Sequence, residues 1–185
     1  MWKSISFGMN DVTASWNGSV HKLLQDLERD NSEVNGMVGY ILQVKSVKVN
    51  IFLYENNSPI EFPQGSTYTF VLVQATGSRL LEASTFWNPN FTGNFTAPHG
   101  FQQYQSYSDF KILDQVTVTL NVWTKNCEYV ELKSNNVEHL RFDTSFDSDI
   151  TDSCVYGALY LFVIHGEEEP LFAYTFVAEA FTTNK

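Results

Sequence analysis

The stretch Phe110 to Trp123, FKILDQVTVTLNVW, decides the fold class. Phe110, Ile112, Val116, Val118, Leu120 and Val122 share one parity, broken only by Asp114. Lys111, Gln115, Thr117, Thr119 and Asn121 share the other, with Leu113 and Trp123 as exceptions. Successive side chains of a strand point to opposite faces, so this stretch reads as one apolar face and one wet face. That is the signature of half a β-sandwich.

Working outward, strand patterns recur along the chain. Tyr40, Leu42 and Val44 share one parity, while Val47, Val49, Ile51 and Leu53 share the other. The switch at Lys45-Ser46 predicts a bulge that bends a long strand and re-aims its faces. Thr67 to Gln74 (TYTFVLVQ) reads as the next strand. CEYVELK (Cys127–Lys133) and VEHLRF (Val137–Phe142) follow the opening stretch, joined by Ser134-Asn135-Asn136. GALYLFVI (Gly157–Ile164) is nearly all apolar, as expected of a central strand buried on both faces. LFAYTFVAEAFT (Leu171–Thr182) reads as a last long strand. About eight strands with long loops predict an all-β fold, an antiparallel sandwich with jelly-roll topology.

Residues 1–36 read as a polar, irregular N-terminal segment, and residues 37–185 as the sandwich domain. Within the segment Val20, Leu23, Leu24 and Leu27 follow i, i+3, i+4, i+7 spacing after Ser19, a residue suited to N-capping. This predicts a short helix over Ser19–Glu28. A helix that short is marginal alone in water and must dock on the domain or on neighbouring copies.

Composition bounds the function. The chain has 185 residues, long enough for one sizeable core, and a net charge of −10. It has no basic block to neutralise phosphates, which argues against gripping nucleic acid or an anionic membrane directly. No apolar run approaches the ~20 residues that span a bilayer. The start, MWKSISFGMN, lacks the regions of a secretory signal, so the chain reads as made without export. Cys127 and Cys154 then fit an intracellular protein better than a disulfide framework. The sequons at Asn17, Asn56, Asn90 and Asn94 carry no meaning without export.

Signs of catalysis are weak. His21, His99, His139 and His165 are scattered without metal-ligand spacing. There is no nucleophile elbow and no phosphate-cradling glycine loop. The reading is therefore not an enzyme, although paired carboxylates of a sugar hydrolase are spatial and escape a sequence pattern. Asp147, Asp149 and Asp152, in the acidic loop after Phe142, are the candidate ligands for Ca²⁺, which takes clustered hard oxygens. They do not match the EF-hand pattern, and a bound ion would more naturally bridge two subunits. Gly77 to Ser108 is the longest interruption between strands, and Phe86, Trp87, Phe91, Phe95 and Phe101 make it unusually aromatic. These rings either cap the core or meet a neighbouring subunit, where aromatics are enriched.

The order Gly39–Leu53, Thr67–Gln74, a long loop, Asp109–Leu120, Gly157–Phe162, charged turn and final strand resembles the coat proteins of very small icosahedral viruses. The resemblance is to satellite-virus and circovirus-like single-stranded DNA virus coats, covers roughly residues 37–182, and is one of order and spacing. It implies a single jelly roll that self-assembles into a virion shell on the smallest icosahedral lattice, inside the host cell. It also implies an N-terminal helix near a symmetry axis and Ca²⁺ between subunits. Such families begin with a basic arm. Residues 1–36 here hold three cationic residues, Lys3, Lys22 and Arg29, against five acidic ones. Any contact with a viral genome is therefore expected to be indirect. The alternative reading is a lectin-like or cytokine-like jelly-roll module that stacks its aromatic loop on a glycan or partner.

Overall fold

The structure is a computed structural model, and it describes residues 3–13, 18–24, 28–29, 36–37, 40–55, 65–77, 110–121, 127–143, 154–165 and 172–184. Its strands are β1 (Lys3–Thr13), β2 (Ser19–Lys22), β3 (Glu28–Arg29), β4 (Gly36–Met37), β5 (Ile41–Glu55) and β6 (Gly65–Ala75). They continue as β7 (Phe110–Asn121), β8 (Cys127–Ser134), β9 (Leu140–Phe142), β10 (Cys154–Tyr156), β11 (Leu159–His165) and β12 (Phe172–Asn184).

The pairings are nested. β6 pairs β7, β5 pairs β8, β2 pairs β11 and β1 pairs β12, all antiparallel, as in one long folded-back ribbon. The ribbon is then rolled, because β12 also pairs β5 and β11 also pairs β6. The result is two sheets, β1-β12-β5-β8 and β2-β11-β6-β7, with β9 and β10 extending the first beyond β5. That strand order is a jelly roll. The fold class read from the sequence is correct.

The inner faces interdigitate through aromatic rings. Tyr68, Phe70, Phe172, Tyr174 and Phe176 are fully buried. The Tyr68 ring meets Phe172 edge-on at 6.1 Å, and its hydroxyl accepts a hydrogen bond from the Phe172 amide at 3.2 Å. A phenol from the second sheet thus satisfies a backbone donor of the first, as a buried polar group must. The second sheet is also buried on its outer face, where Val71, Val73, Tyr160, Phe162 and Ile164 form a second apolar cluster. This is why GALYLFVI lacks polar alternation.

Two bulges re-aim strands. In β5, Phe181 pairs Ser46 and Thr182 pairs Val44, so Lys45 is the extra residue and Val44 and Val47 both face the core. The parity switch at Lys45-Ser46 has that physical cause. In β7, Val73 pairs Ile112 and Leu72 pairs Asp114, leaving Leu113 extra. The apolar parity of the opening stretch is therefore split between two cores. Phe110 and Ile112 pack in the outer cluster, whereas Val116, Val118 and Leu120 join the main one. The wet parity pairs across the strands, with Thr69 and Thr117 hydroxyls 2.9 Å apart and those of Thr67 and Thr119 3.2 Å apart.

Asp114, the break in that parity, sits in the bulge. One carboxylate oxygen accepts from its neighbour's amide, Gln115 N, at 2.8 Å, and the other from Lys133 N on β8 at 2.8 Å. It fastens the edge of one sheet to the edge of the other. Charge-assisted bonds to backbone amides are stronger than neutral ones, so Asp114→Ala is expected to lower unfolding free energy by about 2 kcal/mol. Asp114→Asn, which keeps one acceptor oxygen, should lose about half of that in the same urea titration.

Among the described residues, the helix expected over Ser19–Glu28 is replaced by strand over Ser19–Lys22 and Glu28–Arg29. Ser19–Lys22 is β2, in register with Val163–Tyr160 of β11, and the Leu23 amide donates to Leu159 O at 2.8 Å. Leu23 and Leu24 are buried, and Leu24 turns the chain at φ 62°. The 3.6-residue spacing places apolar residues correctly at the core, but the open edge of β11 offers a ladder that outweighs a short helix. β1 is a further strand in the segment expected to be irregular. Its Ile5, Phe7 and Met9 alternate with Ser4, Ser6 and Gly8, a period-2 signal hidden in a region read as irregular.

Candidate assembly surface

The outer face of the first sheet is partly exposed over β12, β5 and β8. The registers arrange that face in rungs: Glu179-Lys48-Lys133, then Val177-Asn50-Glu131, Thr175-Phe52-Tyr129 and Ala173-Tyr54-Cys127. One end is charged and the other is apolar. Phe52 is 45% exposed, Tyr129 58% and Val177 42%. Phe52 and Tyr54, two apart on β5, have near-parallel rings 5.8 Å apart, and the Tyr129 hydroxyl donates to Asn50 Oδ1 at 2.5 Å. Phe52 and Tyr129 are also cross-strand partners, and such aromatic pairs stabilise a sheet.

The charged end is locally neutralised. Lys48 Nζ lies 2.7 Å from Glu131 Oε2. That hydrogen bond holds the lysine above its ordinary pKa and the glutamate below its own. Both are exposed, so the pair gives orientation more than stability. Next to the β5 bulge, Lys45 Nζ sits 5.6 Å over the Phe181 ring. On a chain of net charge −10, this face carries both signs.

Two further features lie beyond this bulge, toward the start of β5. Tyr156 donates a short hydrogen bond to Glu138 and stacks on His139 at 5.5 Å. Lys111 Nζ reaches Asn136 O at 3.1 Å and Glu138 at 3.9 Å. The Tyr156 phenol is pushed above its ordinary pKa by its own hydrogen bond to Glu138. Nearby, Tyr40, Ile41, Arg141, Phe142, Asp143 and Val155 line an open cleft of about 440 Å³.

Beneath these surfaces Gln74 ties the end of the sandwich shut. Its amide nitrogen donates to Glu138 O and Gly157 O, both at 2.9 Å, and its oxygen accepts from Glu138 N at 2.8 Å. Gly157 has φ 83°, and a Cβ there would stand 2.4 Å from His139 O, so only glycine fits. A second buried polar pair bridges the sheets: His21 Nε2 of β2 lies 2.6 Å from the Tyr174 hydroxyl of β12. Burial pushes His21 down to about 4 and Tyr174 well above the usual phenol range.

The residues singled out in the sequence fall elsewhere. Asp147, Asp149 and Asp152, the calcium candidates, and Phe86, Trp87, Phe91, Phe95 and Phe101, the interface candidates, all lie outside the described residues. Among the described residues no three metal-ligating side chains gather, and no helix is long and apolar enough to cross a membrane. Cys127 and Cys154 are free thiols, and burial pushes Cys154 up to about 11. The exposed aromatics of the first sheet escaped the sequence reading. Phe52 sits between Ile51 and Leu53, and the run IFL does not announce which ring faces out.

No family model and no curated protein matches the chain. Among solved structures it is similar to one from Desmodium yellow mottle tymovirus, at TM-score 0.41 and 9% identity, covering 100% of this chain and 89% of that one. It is also similar to one from red clover necrotic mosaic virus, at TM-score 0.40 and 11% identity. That alignment covers 98% of this chain and 54% of the other, so this chain spans about half of its length.

Proposed function

We propose that the chain is a non-enzymatic structural coat protein that self-assembles into a small closed icosahedral virion shell. The observation that carries this reading is the exposure of Phe52, Tyr129 and Val177 together on the outer face of the first sheet of a jelly roll. Fold alone does not assign function, since jelly rolls serve many roles. Exposed aromatic surface on a mixed-charge face, however, suits burial between copies. The order of strands agrees with the resemblance to small viral coats. On this reading the acidic N-terminal region leaves genome contact indirect, and assembly takes place in the host cell.

Asp147, Asp149 and Asp152 belong to the proposal as an inter-subunit Ca²⁺ site, and Phe86, Trp87, Phe91, Phe95 and Phe101 as further subunit contacts. Electron microscopy of the purified protein tests the reading. The expected result is uniform closed particles that loosen when divalent ions are chelated or the pH is raised, because unscreened carboxylates repel. Particles indifferent to both treatments would remove the calcium assignment and leave the coat assignment standing. A strictly monomeric protein at high concentration favours the alternative, a binding module.

A further inference from the structure

β1 is the outer edge of the first sheet, and among the described residues it pairs only with β12. Edge strands are normally guarded by proline, inward-pointing charge or a bulge. Between Ser4 and Met9 this strand has none of these. Ile5, Phe7 and Met9 take the inward parity, since they pair Ala180, Ala178 and Phe176, and Ser4, Ser6 and Gly8 on the outward parity are exposed. Met9, despite its inward position, is 39% exposed, so the sandwich is open along this edge. The guard begins only beyond it, where the register shift between Met9 and Val12 marks a bulge.

The strand is also complementary to itself. Laid antiparallel on a second copy about Phe7, it sets Phe7 level with Phe7, Ser6 with Gly8, and Ile5 with Met9. At each end Lys3 comes level with Asp11 of the other copy, at the bulge that stops further pairing. Like faces meet like faces, and the register sets residues of opposite charge level at both ends. A symmetric dimer needs such a self-matching patch. A strand added to an open edge gains main-chain hydrogen bonds as well as side-chain contacts.

We propose that β1 of one copy pairs with β1 of a second, two-fold-related copy, joining their first sheets into one continuous sheet. This rests on the assembly reading above and assigns it a contact. The test is sedimentation velocity on the full chain and on Lys3→Glu, Asp11→Lys and the double variant, each checked for unchanged circular dichroism. Each single reversal sets like charges opposite at both ends and should weaken dimerisation about tenfold, and the double variant should restore it. Met9→Lys, which supplies the missing inward charge, should abolish the dimer. If Met9→Lys does not fold, the charge-reversal set decides alone. Association that ignores both reversals overturns the β1 contact while leaving self-assembly intact. A wild-type chain monomeric at every concentration overturns both.

Discussion

Replacing Gln74 by leucine is expected to lower the unfolding free energy by about 4 kcal/mol, measured by urea titration. The side chain is 2% exposed and makes three hydrogen bonds to backbone groups, two to Glu138 and one to Gly157. Leucine nearly matches its volume, so packing changes little and the loss is polar. Two carbonyls and one amide lose their partner, and an unsatisfied buried group costs about 1–3 kcal/mol. Glu138 itself is exposed, and water reaching its backbone offsets part of the sum. The amide of Glu138 should also exchange with solvent faster. A cost below about 1 kcal/mol would mean that the end of the sandwich closes without Gln74.

Acidification is expected to remove a comparable amount of stability through His21. In the folded protein burial lowers its pKa from 6.5 to about 4. Between those values the unfolded chain binds a proton that the folded protein does not, so stability rises with pH across the window. The contribution is complete above pH 6.5, is lost progressively as pH falls towards 4, and changes no further below that. The size is about 3 kcal/mol, from the unit-by-unit conversion of a pKa difference. His21 is 8% exposed, so solvent screening is slight. The carboxylates also titrate near the lower end, and a His21→Gln variant isolates the histidine, because it keeps a polar group facing Tyr174. Wild-type stability minus variant stability should fall by about 3 kcal/mol from pH 7 to pH 4 and stay flat above 7. Parallel pH curves for the two proteins would remove His21 from the acid response.

Much of the fold was legible because strands advertise themselves by parity. The bulge at Lys45 showed as a parity switch, and the doubly buried β11 as an unbroken apolar run. Where parity misled, a bulge or a competing period was the cause. In β7 the inserted Leu113 sends Phe110 and Ile112 to one core and Val116 onwards to another, which no count of alternate residues reveals. In β2 the apolar spacing of Val20, Leu23 and Leu24 fits a helix as well as a strand followed by a buried turn. Only the vacant ladder of β11 decides between them, and that lies about 140 residues away in sequence.

The site was less legible than the fold. The rings of the long loop, Phe86, Trp87, Phe91, Phe95 and Phe101, lie outside the described residues. Phe52, Tyr129 and Phe181 expose their rings from strands, and composition cannot separate Phe52, which faces out, from Phe70, which does not. Exposure is set by what the rolled ribbon covers. The second sheet has its outer face buried, and the first does not.

Sedimentation velocity of the purified chain over a rising concentration series measures self-association directly. Monomer is expected to give way to dimer and then to one fast, uniform boundary of closed particles. A single monomer boundary of 21.1 kDa at every concentration would contradict it.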